Sequence, residues 1–445
     1  MGTAGRRQII LRHLLPLSLL SLAALTGIWR IAQSPPEAVF QPPPSVRDNP
    51  LKLAAQSAFI SLEPGPHRHA PSLIELKNGS LRAFWFSGSR EGAPDVEIRS
   101  ATFDPLTARW SPETSIVNRE QTQSGLWRFV KKIGNAVAVR DGQDRLQLFY
   151  VTVSLGGWAG SSITRIVSSD EGMSWGPPQR LITSPFLNIS TLVKGAPFHF
   201  SDHTIGLPVY HEFLGKFGEI LRLDDQGKLL DKQRLSYGKT TLQPVLLVRD
   251  ARHAQALMRH SGAGPNRVMQ VATTDGGQHW SAPQPLSLAN PNAAVSAITL
   301  PDGTLLAALN DSESDRDVLS LVFSRDGGTH WDTFEILEDQ SKLRGPSLNP
   351  AAYQEASAKL GRLADPLLAS AYDGKLKDFA AATSQHMCRE NRQCAFEFSY
   401  PYLTLTTNGD VHLVYTWNRS YIRHRMFPRE QLTQLLREKT DARTR

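Results

Sequence analysis

One short element recurs along the chain, and its spacing constrains the fold more than any other feature. Ser168-Ser-Asp170-Glu-Gly172-Met-Ser174-Trp175, Thr273-Thr-Asp275-Gly-Gly277-Gln-His279-Trp280 and Ser324-Arg-Asp326-Gly-Gly328-Thr-His330-Trp331 share the form S/T-x-D-x-G-x-x-W. Weaker copies stand at Thr102-Phe-Asp104, with Trp110 one residue late, and at Asp225-Gln-Gly227, without a tryptophan. The aspartates at 104, 170, 225, 275 and 326 lie 66, 55, 50 and 51 residues apart. A period near 50 is that of small sheets repeated around a ring or along an array.

Each period holds the same set of β-rich runs. The first reads PSLIEL, then Asn78-Gly79, then SLRAFWF and DVEIRSATF; the fifth reads SAITL, Asp302-Gly303, TLLAALN and VLSLVFS. Asn-Gly and Asp-Gly between such runs are hairpin signals. Six sets of three or four strands predict an all-β, six-bladed β-propeller over residues 55–430. Within the repeated element the aspartate accepts amide hydrogens of a tight turn, the glycine takes positive φ and the tryptophan packs between sheets. Asp170, Asp275 and Asp326 are therefore read as architecture.

Residues 340–395 break the rhythm. Their Ala-, Lys- and Asp-rich composition predicts a helical insertion between the fifth and sixth blades, lying over one face. The insertion holds both cysteines of the chain, Cys388 and Cys394, five residues between them. In an oxidising compartment these form a local disulfide.

The termini add a targeting expectation. Arg6, Arg7 and Arg12 precede an uncharged stretch from Leu14 to Trp29, the pattern of an export signal. Residues 1–33 are expected to be an uncleaved membrane anchor or a signal peptide, and 34–54 a Pro-rich linker. Residues 431–445 are expected to be a basic tail. The basic end stays cytoplasmic, so the propeller would lie on the periplasmic side of the inner membrane, or be secreted if the signal is removed. A formal charge of +7, partly gathered at the termini, leaves no concentrated basic face, which argues against nucleic acid. Two cysteines exclude a Cys-rich metal site, and His67, His69 and His211 have no ligand spacing; neither metal nor cofactor is expected.

The S/T-x-D-x-G-x-x-W element resembles the Asp box of the sialidase-like (BNR-repeat) propellers, bacterial exo-sialidase-like proteins among them. The likeness extends to HAPSL, KIGNAV, LQPVL and EFSYPYL at the blade starts. The resemblance implies a glycan site at one mouth of the central channel. It also implies an arginine triad for a sugar carboxylate, an acidic acid/base residue, and a tyrosine nucleophile assisted by a glutamate. A neutral phenol suits a substrate whose anomeric carbon bears a carboxylate, because an anionic nucleophile would be repelled. On this likeness Tyr400 of Tyr400-Pro-Tyr-Leu403 is the nucleophile candidate, with Glu212 as its base and Glu397 as a rival. Glu91 or Asp95 would be the acid. The place of the first arginine is taken by His69, four before Leu73, whereas Arg68 should face the other way by strand alternation. Arg259, Arg419 or Arg423, with Lys132 and Lys194, are the remaining candidate anion contacts. The implied activity is removal of terminal, possibly acidic, sugars from glycans. A non-catalytic glycan-binding or scaffolding propeller of the cell envelope is the alternative.

Overall fold

A computed structural model describes residues 17–26, 39–43, 45–46, 54–184, 187–344, 348–389 and 393–444. Its six sheets of four or five strands are the six blades expected. The innermost strands are His67–Glu75, Lys132–Arg140, Leu192–Val193 with Phe198–His199, Thr241–Val248, Ser296–Thr299 and Phe398–Leu405. In blades 1, 2 and 4 to 6 they lead outward by hairpins; in blade 3 both short segments pair with the second strand, Ile205–His211. Alternate side chains point to the two neighbouring sheets, so the second strands are buried on both faces: Leu81–Gly88 and Leu146–Val153 are buried throughout. The sixth sheet is closed by the N-terminal side of the chain. Gln56–Phe59 pairs antiparallel with Tyr421–Phe427 as its outer strand.

Three inner strands carry the same irregularity near the channel mouth. The register shifts between His69 and Ser72, between Leu242 and Val245, and between Ser399 and Tyr402. Ala70, Gln243 and Tyr400 sit there at φ of 52°, 53° and 53°, each followed by proline. Proline has no amide hydrogen, so it fits where the ladder is interrupted, and the bulge re-aims the preceding side chain.

The Asp boxes close the turns after the third strands, at the opposite end of the blades. Asp275 Oδ1 accepts from Thr273 Oγ1 at 2.8 Å and from the His279 amide at 3.1 Å, while Trp280 Nε1 donates to Gly277 O at 3.0 Å. Asp326 repeats these contacts with Ser324, His330 and Trp331, and Asp170 with Ser168 and Ser174. Hydrogen bonds from Ser174 hold the Asp170 carboxyl down at about 2. In the third blade the turn carboxylate is Asp224, which accepts from the amides of Gln226 and Lys228. Asp225, the position expected, instead accepts from the Gly142 amide of the preceding blade.

The insertion is helical over Pro350–Ala364, Pro366–Ala369 and Asp373–Met387. It packs on the outer strand and mouth-side turn of blade 6: Asp365 accepts from the Phe59 amide at 2.7 Å, and Phe379 stacks on Tyr421 at 4.5 Å. Cys388 and Cys394 are joined by a disulfide. A short helix between blades 1 and 2, Arg119–Leu126, was not expected. Its Asn118-x-x-Gln121 capping box supplies both reciprocal bonds.

Both expected tails differ from the structure. Arg429–Thr444 is a helix that buries Leu432 and Leu436 against the core of blades 5 and 6, four residues apart on one face. The Pro-rich stretch is tied down at Phe40, which is fully buried and stacks on Phe200 at 5.7 Å, with its amide donating to Ala251 O. Residues 17–26 form a helix exposing Leu17, Leu19, Leu20, Leu22 and Leu25. No described helix is long and apolar enough to cross a membrane. The rest of the expected export segment, Arg6, Arg7 and Arg12 included, lies outside the described residues.

Candidate active site

The inner strands begin at the mouth, and of the three inner-strand residues at positive φ there Tyr400 is the bulkiest. Its ring lies 4.4 Å from that of His69 across the boundary between blades 6 and 1, with the Arg316 guanidinium 6.0 Å and the Lys194 ammonium 5.9 Å from its centroid. A bulky residue at positive φ is a strained conformation, of the kind that concentrates at functional sites.

The charges around this tyrosine are buried in a graded way. Glu397 accepts from Arg419 Nε at 2.8 Å and from Ser399 Oγ at 2.7 Å, with Arg316 at 3.5 Å. Burial pushes its carboxyl up, but Arg419 and Arg316 outweigh burial and hold it below the usual range. A carboxylate so engaged is a partner for two arginines rather than a base for Tyr400. Lys194 is almost completely buried, with Nζ donating to Pro401 O at 3.0 Å and facing the Tyr402 ring at 5.1 Å. With no carboxylate to offset burial, its ammonium is lowered to about 7. His69 is also buried, its Nδ1 without a hydrogen-bond partner among the described residues. Burial, then His67, Arg419, Arg316 and Lys194, keep its ring neutral.

A second group lies on blades 2 to 5. Arg259 donates to Asn292 Oδ1 at 2.7 Å and to Gln243 Oε1 at 3.0 Å, and Gln243 donates to the Tyr210 hydroxyl at 3.3 Å. Arg316 donates to Asn292 O, joining this network to the Tyr400 side. Tyr210 is raised by burial and by the fields of Tyr400 and Glu212, which places all three in one neighbourhood. Lys132 lies against the Trp158 ring at 3.7 Å; burial lowers it, and the fields of Glu91 and Glu212 oppose that. Arg419 in turn feels Glu91 and Tyr400.

The mouth therefore gathers Tyr400, Glu212, Glu91, His69, Lys132, Lys194, Arg259 and Arg419, together with Arg316, Gln243 and Tyr210, which sequence reasoning missed. Arg316 lies in the loop between the second and third strands of blade 5, the position that Glu91 holds in blade 1. That correspondence between blades was the available signal. Three candidates stand elsewhere. Asp95 is exposed and closes its own loop, accepting from the amide and hydroxyl of Ser89 at 2.9 Å. Arg68 points to the opposite face, as strand alternation requires, and binds Glu113 at 2.7 Å and Ser420 O at 2.9 Å. Arg423 is buried against Glu338 and Ser57, joining blades 5 and 6. His211 pairs with Glu219, far from forming a histidine cluster with His67 and His69. No group of three or more metal-ligating side chains occurs among the described residues.

Solved structures resemble this fold at low identity. A Hadza microbial sialidase superposes with a TM-score of 0.57 at 14% identity, covering 81% of this chain; the chain spans 66% of that protein, just under two thirds. A Dyadobacter fermentans protein of unknown function gives 0.60 at 13%, covering 86% of this chain and 99% of its own. The intramolecular trans-sialidase of Ruminococcus gnavus gives 0.55 at 13%, covering 83% and 96%. Among curated protein sequences there is no match. The family model for the BNR repeat-like domain matches residues 79–413, most of the chain, with the three full boxes and Tyr400 inside it and His69 and Arg419 just outside; this chain belongs to that family.

Proposed function

We propose that the chain is an exo-glycosidase of sialidase-like type whose site is the mouth around Tyr400. The observation that carries the reading is a strained tyrosine flanked by Arg316 and Lys194, with Glu91 and Glu212 sharing the field of Lys132. In this reading Glu212 takes the phenolic proton as Tyr400 attacks the anomeric carbon, and Glu91 protonates the departing glycosidic oxygen. Water then cleaves the tyrosyl–sugar bond with Glu91 as base. Arg259, Arg316 and Arg419 hold the charged or polar substituents of the sugar. Sialidases among the structural neighbours support the reading at the level of fold.

The neutral His69 favours a sugar without a carboxylate at that point, since a buried imidazole offers a hydrogen bond and no charge. A panel of aryl glycosides, a sialoside included, tests the proposal. Turnover lost in Tyr400→Phe, and lost in Glu91→Gln chiefly for poor leaving groups, is expected. Binding of glycans without turnover, unaffected by Tyr400→Phe, would leave a binding propeller instead.

We also propose that the chain works outside the cytoplasm, held at the inner membrane by its N-terminal segment or released by cleavage. The Arg-flanked apolar run and the Cys388–Cys394 bond support this. Cell fractionation with N-terminal sequencing distinguishes anchored, secreted and cytoplasmic protein.

A further inference from the structure

Exposed apolar side chains occur in several places, Leu106 and Met173 at the box end and Leu363, Leu367 and Tyr372 on the insertion among them, and one group of them lines a single rim. Trp127, Phe129, Leu155, Phe213, Leu214 and Tyr237 are all exposed, Trp127 by 96%, Leu214 by 80% and Tyr237 by 88%. All stand at the mouth end of blades 2 to 4. Trp127 and Phe129 lead into the inner strand Lys132–Arg140, and Tyr237 leads into Thr241–Val248. Leu155, Phe213 and Leu214 follow the second strands Leu146–Val153 and Ile205–His211.

These loops touch in series. Arg128 Nε donates to Ser154 Oγ at 3.3 Å and Lys131 Nζ to Gly156 O at 3.1 Å. The Thr191 amide donates to Ser161 O, and Ser190 Oγ accepts from the amides of Glu212 and Phe213. The Lys216 amide donates to Lys239 O at 3.2 Å. Trp127 is the C-cap of the helix Arg119–Leu126, at a φ of 50°. A large ring in that conformation, almost wholly in water, is held out by the backbone rather than drawn in by packing.

The charges follow the same asymmetry. Arg128, Lys131, Lys216 and Lys239 interleave the apolar tips, and across loops 126–131, 154–160, 187–191, 212–216 and 235–240 Glu212, turned to the site, is the one carboxylate. The mouth loop of blade 5 is the reverse, with Asp311, Glu313, Asp315 and Asp317. We propose that the blade 2–4 rim seats in the interface of a membrane bearing anionic lipids. Apolar tips enter the headgroup–acyl boundary while cations meet the headgroups, the physics of interfacial rather than spanning attachment. Leu155 and Leu214 give a sugar nothing to stack on, and two such basic rims would repel, so lipid fits this surface better than a glycan chain or a second copy.

The test uses the full chain and vesicles of phosphatidylcholine with or without phosphatidylglycerol. Because residues 17–26 could hold the chain on vesicles, the readout is local: the emission of the wild type less that of Trp127→Phe. This difference is expected to shift blue and to be quenched by brominated acyl chains when phosphatidylglycerol is present. Phe213→Ser with Leu214→Ser should weaken this quenching of the Trp127 contribution about tenfold or more. Lys131→Gln should weaken it about fivefold, and only with the anionic lipid. Far-UV circular dichroism checks that the variants fold. A Trp127 contribution unmoved in vesicle-bound protein overturns the proposal. So does one shifted by a soluble oligosaccharide, or self-association that depends on Phe213 and Leu214. None of these outcomes bears on turnover at Tyr400.

Discussion

At the box end of the blades, Asp170, Asp275 and Asp326 each sit at the protein surface with amide and hydroxyl donors filling their lone pairs. At the mouth end, Lys194 and His69 are buried with fewer partners than their chemistry could use. The same strands build both ends. The box turns recur because they do the same job in several blades, and satisfied polar groups there fix the turn. The mouth differs from blade to blade, and its strained Tyr400 and depressed Lys194 cost stability that a merely structural end would not give up. Repetition thus marks architecture, and the candidate site is set apart by which residue fills a repeated position: Tyr400 stands in the same bulge as Ala70 and Gln243.

Four measurements would break or sharpen that contrast, the largest effect first. Tyr400→Phe removes one oxygen and little volume. Turnover is expected to fall on the order of 10³-fold or more while the melting temperature holds, as measured by initial rates and calorimetry. An unchanged rate would move the chemistry away from this tyrosine.

Next comes Lys194. Its folded value of about 7 lies below the usual 10.5, so between these values the unfolded chain binds more protons and stability rises with pH. Melts of Lys194→Met should lack this rise, and the variant should be more stable than wild type at or below pH 7, by an amount on the order of a few kcal/mol. Equal pH slopes in the two proteins would show that Lys194 is not desolvated.

The disulfide should matter less. Cys388→Ser with Cys394→Ser removes a constraint on a short loop, so a loss of about 2 kcal/mol is expected in denaturant titrations, with activity kept. The smallest effect is at a box: Asp275→Ala should cost about 1 kcal/mol in the same assay and leave kcat unchanged. A box variant that lost activity while remaining folded would undo the division between the two ends.

The blade count was legible because the Asp-box period and the Asn-Gly and Asp-Gly hairpins are local signals repeated along the chain. Where one copy was degenerate the reading slipped by a residue, to Asp225 from Asp224, since two adjacent aspartates look alike until the turn is folded. Strand starts were readable too: the bulge motifs His69-Ala-Pro71 and Tyr400-Pro401 put their side chains at the mouth, and alternation alone turned Arg68 away. Arg316 was hidden because it comes from a loop, where no periodicity assigns a direction. Arg423 misled because a buried arginine between sheets and one in a site look the same without their partners. The C-terminal helix was partly visible in Leu432 and Leu436, but the surrounding charges drew attention to the tail's composition instead.

The outer strand of blade 6 carries a consequence in time rather than in space. Ser57 meets Arg423 across 366 residues of sequence, so the ring stays open until the strand that carries Arg423 has been made. At roughly 5–20 residues per second that is some tens of seconds, during which the edge Tyr421–Phe427 has not yet formed and Gln56–Phe59 has no partner. Closing so long a loop at random would cost roughly 5 kcal/mol in entropy. Phe40 changes the search. Its amide binds Ala251 O and its ring stacks on Phe200, contacts that need only blades 3 and 4. Once these form, the waiting strand is leashed to the half-built ring at high effective concentration, and the final pairing becomes a short-range event.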